Sequence, residues 1–236
     1  MKQLSKLKIL WYHLYPGILL TGFFIVFAPL FYKEGIPPQL IILLGIPIVI
    51  IPTIYFHLVK VKKIENRDRI TELIVYNEKL SKIKLIGYTL GLILFAFVVY
   101  GLTQPINSII TKNLLNWLPD WYRIQDFQGY SKNIIVITLV LNLSLNGFLA
   151  PFAEEVYFRG YLLPRMESWG KLAPLFSALL FSIYHFWQPQ IYLTLIISLL
   201  PMIYLTWKTK NLRLAIYTHC GLNLVGALLS FAMINQ

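Results

Sequence analysis

Long apolar segments constrain this chain more than any other feature of its sequence. Seven segments of the 236-residue chain are apolar over about the 20 residues that a helix needs to cross a bilayer. A segment in hydrocarbon must satisfy its own backbone hydrogen bonds, and the strict alternation of a β-barrel strand is missing. The sequence therefore predicts an all-α fold, a polytopic membrane helical bundle of about seven transmembrane helices. The predicted spans are residues 10–32, 38–59, 85–103, 134–152, 172–187, 190–207 and 214–234.

The charge distribution excludes a nucleic-acid-binding protein and predicts an orientation in the membrane. The formal charge is +11, but the basic residues lie in short segments between the apolar ones. One side of the predicted bundle carries 17 of the 21 Lys and Arg residues. Cytoplasmic loops are the ones enriched in Lys and Arg. We expect lipid as the surrounding partner, no nucleic acid partner, the N-terminus in the cytoplasm and the C-terminus outside.

The most highly charged loop, residues 61–84, mixes Lys, Arg, Glu and Asp with spaced apolar residues. This pattern predicts an amphipathic helix on the inner membrane surface. A solvated connector is the alternative. No internal repeat is found, and we expect one membrane domain over residues 1–236.

Two adjacent carboxylates, Glu154 and Glu155, lie at the end of the fourth apolar segment. A charged side chain inside a membrane costs free energy, so such residues are often functional. Glu155 and Arg159 are four residues apart and can pair across one helical turn. Glu154 projects about 100° away from Glu155 around the helix, so it lacks this partner. This arrangement leaves Glu154 available as a proton acceptor. The alternative is a solvated charge cluster at a helix end.

Two histidines in later segments each have a partner four residues away. His185 follows Phe181, and His219 precedes Asn223. Imidazole and carboxamide groups offer hydrogen-bond donors that could hold an oxyanion. The alternatives are a packing role for His185 and an interhelical hydrogen-bonding pair for His219 and Asn223. Asn142 and Asn146 are also four residues apart, on the fourth span, and we interpret them as interhelical contacts or cavity-lining residues.

Depth is an obstacle to a shared site. The predicted span boundaries place Glu154 near the cytoplasmic end of its helix, and they place His185 near the outer end of the next one. Contact between them requires different boundaries, or kinks with a water-filled cavity. Pro151, Pro174 and Pro189 are compatible with such irregular geometry.

Together, the three patterns resemble the motifs of the CPBP superfamily. This superfamily includes type II CAAX prenyl endopeptidases and bacteriocin self-immunity proteins. The matching residues agree in type, internal spacing and order over about residues 150–225. They are Glu154-Glu155-x-x-x-Arg159, Phe181-x-x-x-His185 and His219-x-x-x-Asn223.

The resemblance implies an intramembrane peptidase in a bacterial plasma membrane, acting on a peptide or membrane-protein substrate. Residues 134–236 would form its catalytic core, and residues 1–133 would supply the N-terminal spans and the cytoplasmic loop. Glu154, with help from His185, would activate water, and His219 with Asn223 would stabilise the oxyanion. Glu155, Arg159 and Phe181 would support the site.

Metal dependence stays open at this point. By residue type, zinc would be held by Glu154, His185 and His219. The sequence contains no HExxH motif, and a metal-free mechanism uses the same side chains. We therefore expect no obligatory metal. The alternative function is a non-enzymatic bacteriocin-immunity, peptide-binding or transport protein that uses the same polar residues to bind a ligand.

Overall fold

Seven helices contain most of the residues that the structure describes. The computed structural model describes residues 2–124 and 126–234, and within these ranges it contains no β-strand. Every helix except α5 is long and apolar enough to cross a membrane. The predicted all-α membrane bundle is confirmed. The helices are α1 Lys6–Lys33, α2 Pro38–Ile64, α3 Lys82–Leu114, α4 Lys132–Arg165, α5 Ala173–Tyr184, α6 Pro189–Thr209 and α7 Leu212–Ile234.

Helix α5 is shorter than the fifth predicted span, residues 172–187. Its 12 residues extend about 18 Å, whereas the hydrocarbon core is about 30 Å thick. The chain then leaves the helical conformation at His185, where φ is −80° and ψ is 52°. The hydroxyl of Tyr122, in the α3–α4 loop, donates to the carbonyl of Phe186 at 2.8 Å. Residues 185–188, which are not helical, therefore connect the end of α5 to the start of α6.

Serine caps mark the start of three spanning helices. The side chains of Ser5, Ser81 and Ser131 each accept a hydrogen bond from a backbone N–H of the following turn. Serine favours this position because its oxygen satisfies one of the amides left without a partner at a helix start. These caps begin α1, α3 and α4 at residues that composition alone would leave uncertain.

Helix α4 is not a regular α-helix. Its six-residue α-helical stretch Ala150–Glu155 lies between two π-helical stretches, Asn142–Leu149 and Val156–Leu162. A π-helical turn is wider than an α-helical turn and is often found at functional sites. The two adjacent carboxylates therefore lie at the junction of two helical geometries.

The amphipathic helix predicted for residues 61–84 does not form. Helix α2 extends through Ile64, and the next helical element is a single 3-10 turn, Ile70–Leu73. Beyond it, the amide of Val75 donates to the carbonyl of Gly160 at 3.2 Å. The segment is extended because its backbone bonds to α4 and its apolar side chains, including fully buried Leu73, pack against the bundle. Neither a surface helix nor a solvated connector describes it.

A buried arginine fixes this extended segment to the end of α4. Arg165 is 1% exposed and donates to the carbonyls of Leu73 at 3.0 Å and Tyr161 at 2.9 Å. Its guanidinium also lies 3.3 Å from a carboxylate oxygen of Glu65. A Cβ at Gly160 would lie 2.9 Å from Ile74 Cγ2, so only glycine lets the segment approach this closely. These contacts close one end of the bundle beneath the two carboxylates.

A polar cluster joins α3 to α6, and it provides a test of the packing. The Thr194 hydroxyl lies 2.7 Å from the Thr103 hydroxyl and 2.9 Å from the amide nitrogen of Asn107, and all three residues are buried. Thr194→Val removes these bonds while conserving volume. We expect the free energy of unfolding in detergent micelles to fall by about 1–2 kcal/mol.

The matched control is Thr209→Val, also in α6. The Thr209 hydroxyl bonds only within its own helix, to the carbonyl of Leu205. Its substitution should therefore change stability by less than that at Thr194. Equal losses in both variants would show that the interhelical bonds contribute nothing specific.

Candidate active site

The adjacent carboxylates of α4 are both withdrawn from solvent and lipid. Glu154 is 6% exposed and Glu155 is fully buried. Tyr184, the last residue of α5, donates its hydroxyl hydrogen to Glu154 Oε1 at 3.0 Å. The end of α5 therefore lies at the level of the carboxylates. The depth obstacle disappears, since His185 directly follows this short helix.

Glu155 is held by two cationic or ionisable partners. Arg159 Nη1 lies 3.2 Å from Glu155 Oε1, and both side chains are fully buried. The same oxygen accepts a hydrogen bond from His219 Nδ1 at 2.7 Å. The Arg159 guanidinium also stacks on Phe181, 4.0 Å from the ring centroid. Glu155 thus connects α4 to α7, and Arg159 connects α4 to α5.

Glu154 has a different set of partners. Its Oε1 accepts a hydrogen bond from the hydroxyl of Tyr184 at 3.0 Å. Its Oε2 lies 4.0 Å from His219 Nε2. Of the two carboxylates, Glu155 forms the close pair with Arg159, as the four-residue spacing predicts, and Glu154 keeps one oxygen facing an imidazole.

His185 lies directly after α5 and is held by its own helix end. Its Nδ1 is 2.8 Å from the carbonyl of Phe181. A carbonyl only accepts, so the proton of this bond is on Nδ1, and the neutral ring carries its lone pair on Nε2. The ring centroid lies 4.9 Å from those of Phe181, Tyr184 and Trp187. His185 therefore has one fixed orientation.

Within the described residues, no hydrogen bond joins His185 to Glu154. Tyr184 lies between them instead, with its ring against His185 and its hydroxyl on Glu154. A water molecule or a substrate atom would have to complete the connection. Catalytic hydrogen bonds are often absent before substrate binds.

Asn223 bonds to α4 and lies one turn beyond His219 on α7. Its amide nitrogen donates to the carbonyl of Asn146 at 2.9 Å. This bond reaches the π-helical stretch Asn142–Leu149. The same nitrogen lies 3.4 Å from the side-chain oxygen of Asn146. Asn146 therefore makes the interhelical contact expected for it, and Asn223 would have to exchange this longer contact in order to donate to a substrate atom.

Three segments far apart in sequence thus meet at one level of the bundle. Residues 136–225, which carry all of them, match the family described as Type II CAAX prenyl endopeptidase Rce1-like. This segment belongs to the Rce1-like family. The resemblance to CPBP proteins is confirmed over this segment, and the six long apolar helices show an integral membrane protein. No curated protein and no solved structure matches the chain.

The Rce1-like segment also contains contacts that sequence patterns did not predict. Tyr184 was not among the candidate residues, because a tyrosine in an apolar segment has no distinguishing signal. The bond from His219 to Glu155 was also missed, since the two residues are 64 positions apart. The adjacency of Tyr184 to His185 was the only available indication.

The donors of the Rce1-like site do not fit a zinc ion as they are arranged. In residues 2–124 and 126–234, no group of three His, Cys, Asp or Glu side chains is placed to hold a metal. Glu154 Oε2 and His219 Nε2 face each other at 4.0 Å, but the other nitrogen of His219 bonds Glu155. A catalytic zinc normally takes three protein ligands. His185, the third expected ligand, does not complete the set, so no step is derived through a metal.

Proposed function

We propose that this protein is an intramembrane endopeptidase in which Glu154 activates water. The observation that carries the proposal is that the two carboxylates have different hydrogen-bonding and ionic partners. Glu155 is occupied by Arg159 and His219, whereas Glu154 accepts one hydroxyl bond and has an oxygen facing the site. A carboxylate in this position can remove a proton from water and later return it to the leaving amine.

The remaining residues have roles that follow from their hydrogen-bonding capacity. Water adds to the peptide carbonyl as Glu154 takes its proton, and His185 Nε2 accepts from the same water. The oxyanion that forms is held by Asn223 and by His219. Because His219 Nδ1 bonds Glu155, donation from Nε2 requires a ring protonated on both nitrogens, and the Glu155 carboxylate at 2.7 Å supplies the compensating charge. Collapse of the intermediate breaks the C–N bond.

The substrate is proposed to be a peptide or membrane protein reached near the cytoplasmic leaflet. The Lys and Arg bias supports a cytoplasmic N-terminus and an external C-terminus. A bacterial plasma membrane is the location that the family resemblance implies. The family description includes CAAX prenyl substrates, so a farnesylated peptide is one class to test. Unmodified membrane-proximal peptides are the other class.

A non-enzymatic peptide-binding or immunity function is the second candidate. A cavity of about 360 Å³ lies between the α3–α4 loop and the start of α6, lined by residues that include Tyr122, Arg123 and Gln190. It contains none of the candidate catalytic residues. Binding at this cavity without cleavage would support the second candidate.

The deciding experiment is cleavage of a peptide library by the protein in lipid vesicles, read by mass spectrometry. We expect wild type to cleave at least one peptide and His185→Gln to cleave it at least about a hundredfold more slowly, because general-base assistance is lost. The matched control is His57→Gln in α2, where His57 bonds to Tyr15 and lies outside the site. Repeating the assay with a chelator tests metal dependence.

The peptidase proposal fails if a peptide that demonstrably binds is not cleaved. In that case the peptide-binding function becomes the better explanation. If His185→Gln and His57→Gln cleave equally fast, His185 has no catalytic role, and cleavage that is also unchanged in Glu154→Gln overturns the peptidase proposal.

A further inference from the structure

Tyr184 is the residue that holds Glu154 in place. It is the last residue of α5, it is fully buried, and its hydroxyl donates to Glu154 Oε1 at 3.0 Å. A buried tyrosine hydroxyl needs a partner, and here the partner is the proposed catalytic carboxylate. The bond occupies one carboxylate oxygen and leaves the other directed at His219.

The tyrosine ring has little freedom to move. Its centroid lies 5.1 Å from that of Phe158, 5.4 Å from that of Trp187 and 4.9 Å from that of His185. These rings come from α4 and from the segment after α5. The hydroxyl is therefore carried on a rigid support, which is what a positioning group requires.

Helix α1 completes the support from outside the Rce1-like segment. A Cβ at Gly17 would overlap the carbonyl oxygen of Tyr184 and would lie 2.7 Å from its Cδ2. Gly17 is buried in the α1–α5 contact, so a larger residue there would force Tyr184 or one of the two helices to shift. The distance between α1 and α5 is thus set at the residue that bonds Glu154.

We infer that Tyr184 is a positioning residue for Glu154 and that α1, through Gly17, determines where Tyr184 lies. This inference rests on the proposed peptidase function. The groups facing Glu154 are then Tyr184 from α5, His219 from α7, and Glu155 and Arg159 from α4. Of these, Tyr184 is the neutral group that donates a hydrogen bond to Glu154.

The first test is Tyr184→Phe, which removes the hydroxyl and keeps the ring. We expect kcat to fall about tenfold or more with KM unchanged, since a hydrogen bond to a charged group is lost. As the pH is lowered, cleavage by the variant should also begin to fall at a higher pH than cleavage by wild type. The reason is that the charged carboxylate has lost a hydrogen-bond donor, so it is protonated more readily. A smaller folded fraction would lower kcat but would not move the pH profile.

The matched control is Tyr192→Phe in α6. The Tyr192 hydroxyl bonds the carbonyl of Ile183 at 3.4 Å and does not contact either carboxylate. We expect its kcat and its pH profile to match those of wild type.

The second test compares two glycines of α1. Gly17→Ala should lower kcat, whereas Gly22→Ala should not, because a Cβ at Gly22 meets no atom within 4 Å. In a Tyr184→Phe background, Gly17→Ala should lower kcat by a smaller factor than in wild type, because both changes act through the same bond.

The outcomes separate this inference from the proposed function. If cleavage depends on Glu154 but Tyr184→Phe changes neither kcat nor the pH profile, the positioning role is overturned and the peptidase proposal stands. If no cleavage depends on Glu154, both are overturned. A fall in kcat with a displaced pH profile supports the positioning role.

Discussion

Replacing Glu154 with Gln is expected to slow peptide cleavage by about a hundredfold to ten-thousandfold, the range typical of a lost general base. Glutamine matches glutamate in size and keeps an oxygen that can accept the bond from the Tyr184 hydroxyl. It cannot take a proton from water. The change therefore removes the chemistry with little effect on packing, and the cleavage rate in vesicles measures it.

Glu65→Gln is the matched control for this substitution. Glu65 is also a largely buried glutamate, but it pairs with Arg165 at the end of the bundle. We expect its cleavage rate to stay close to that of wild type. Equal rates for wild type and Glu154→Gln would exclude Glu154 as the base, whatever the behaviour of the other residues.

Arg159→Met is expected to lower the free energy of unfolding by about 3–5 kcal/mol, the cost of breaking a buried ion pair from one side. Arg159 is fully buried, and its guanidinium lies 3.2 Å from Glu155 and 4.0 Å from the centre of the Phe181 ring. Methionine fills much of the volume but leaves Glu155 charged, with His219 as its remaining partner. Unfolding by denaturant in detergent micelles measures the loss.

Two comparisons separate charge from packing. Arg123→Met breaks a surface pair with Asp120, whose side chains are 53% and 73% exposed, and should cost less than about 1 kcal/mol. In the double variant Arg159→Met, Glu155→Gln, both charges are removed, and we expect part of the stability to return. If the double variant is no more stable than Arg159→Met, the loss is one of packing and not of unpaired charge.

The sequence predicted the architecture where local chemistry decides it. Apolar length is a local signal, and it predicted the spanning helices. The short α5 could not be predicted, because apolar residues continue through Phe186 and Trp187 while the backbone turns away at His185. The extended segment after α2 was also missed, since its apolar spacing suits either a surface helix or burial against α4.

The candidate site followed a similar rule. The pair Glu155 and Arg159 was predictable from helical spacing, and it forms as expected. The roles of Glu154, His185, His219 and Asn223 stay predictions until cleavage is measured. Contacts across helices, such as Tyr184 to Glu154 and His219 to Glu155, depend on helix rotation and depth, which spacing within one helix does not determine.

The wide turns of α4 have a consequence for how related sequences are compared. Each residue of an α-helix turns the chain by about 100°, so one residue more or fewer in Asn142–Leu149 rotates everything that follows. A relative whose helix is regular here would need a different number of residues between the position of Asn146 and its two glutamates. A one-residue gap in an alignment here therefore changes the direction in which the carboxylates point, and is not a harmless variation in length.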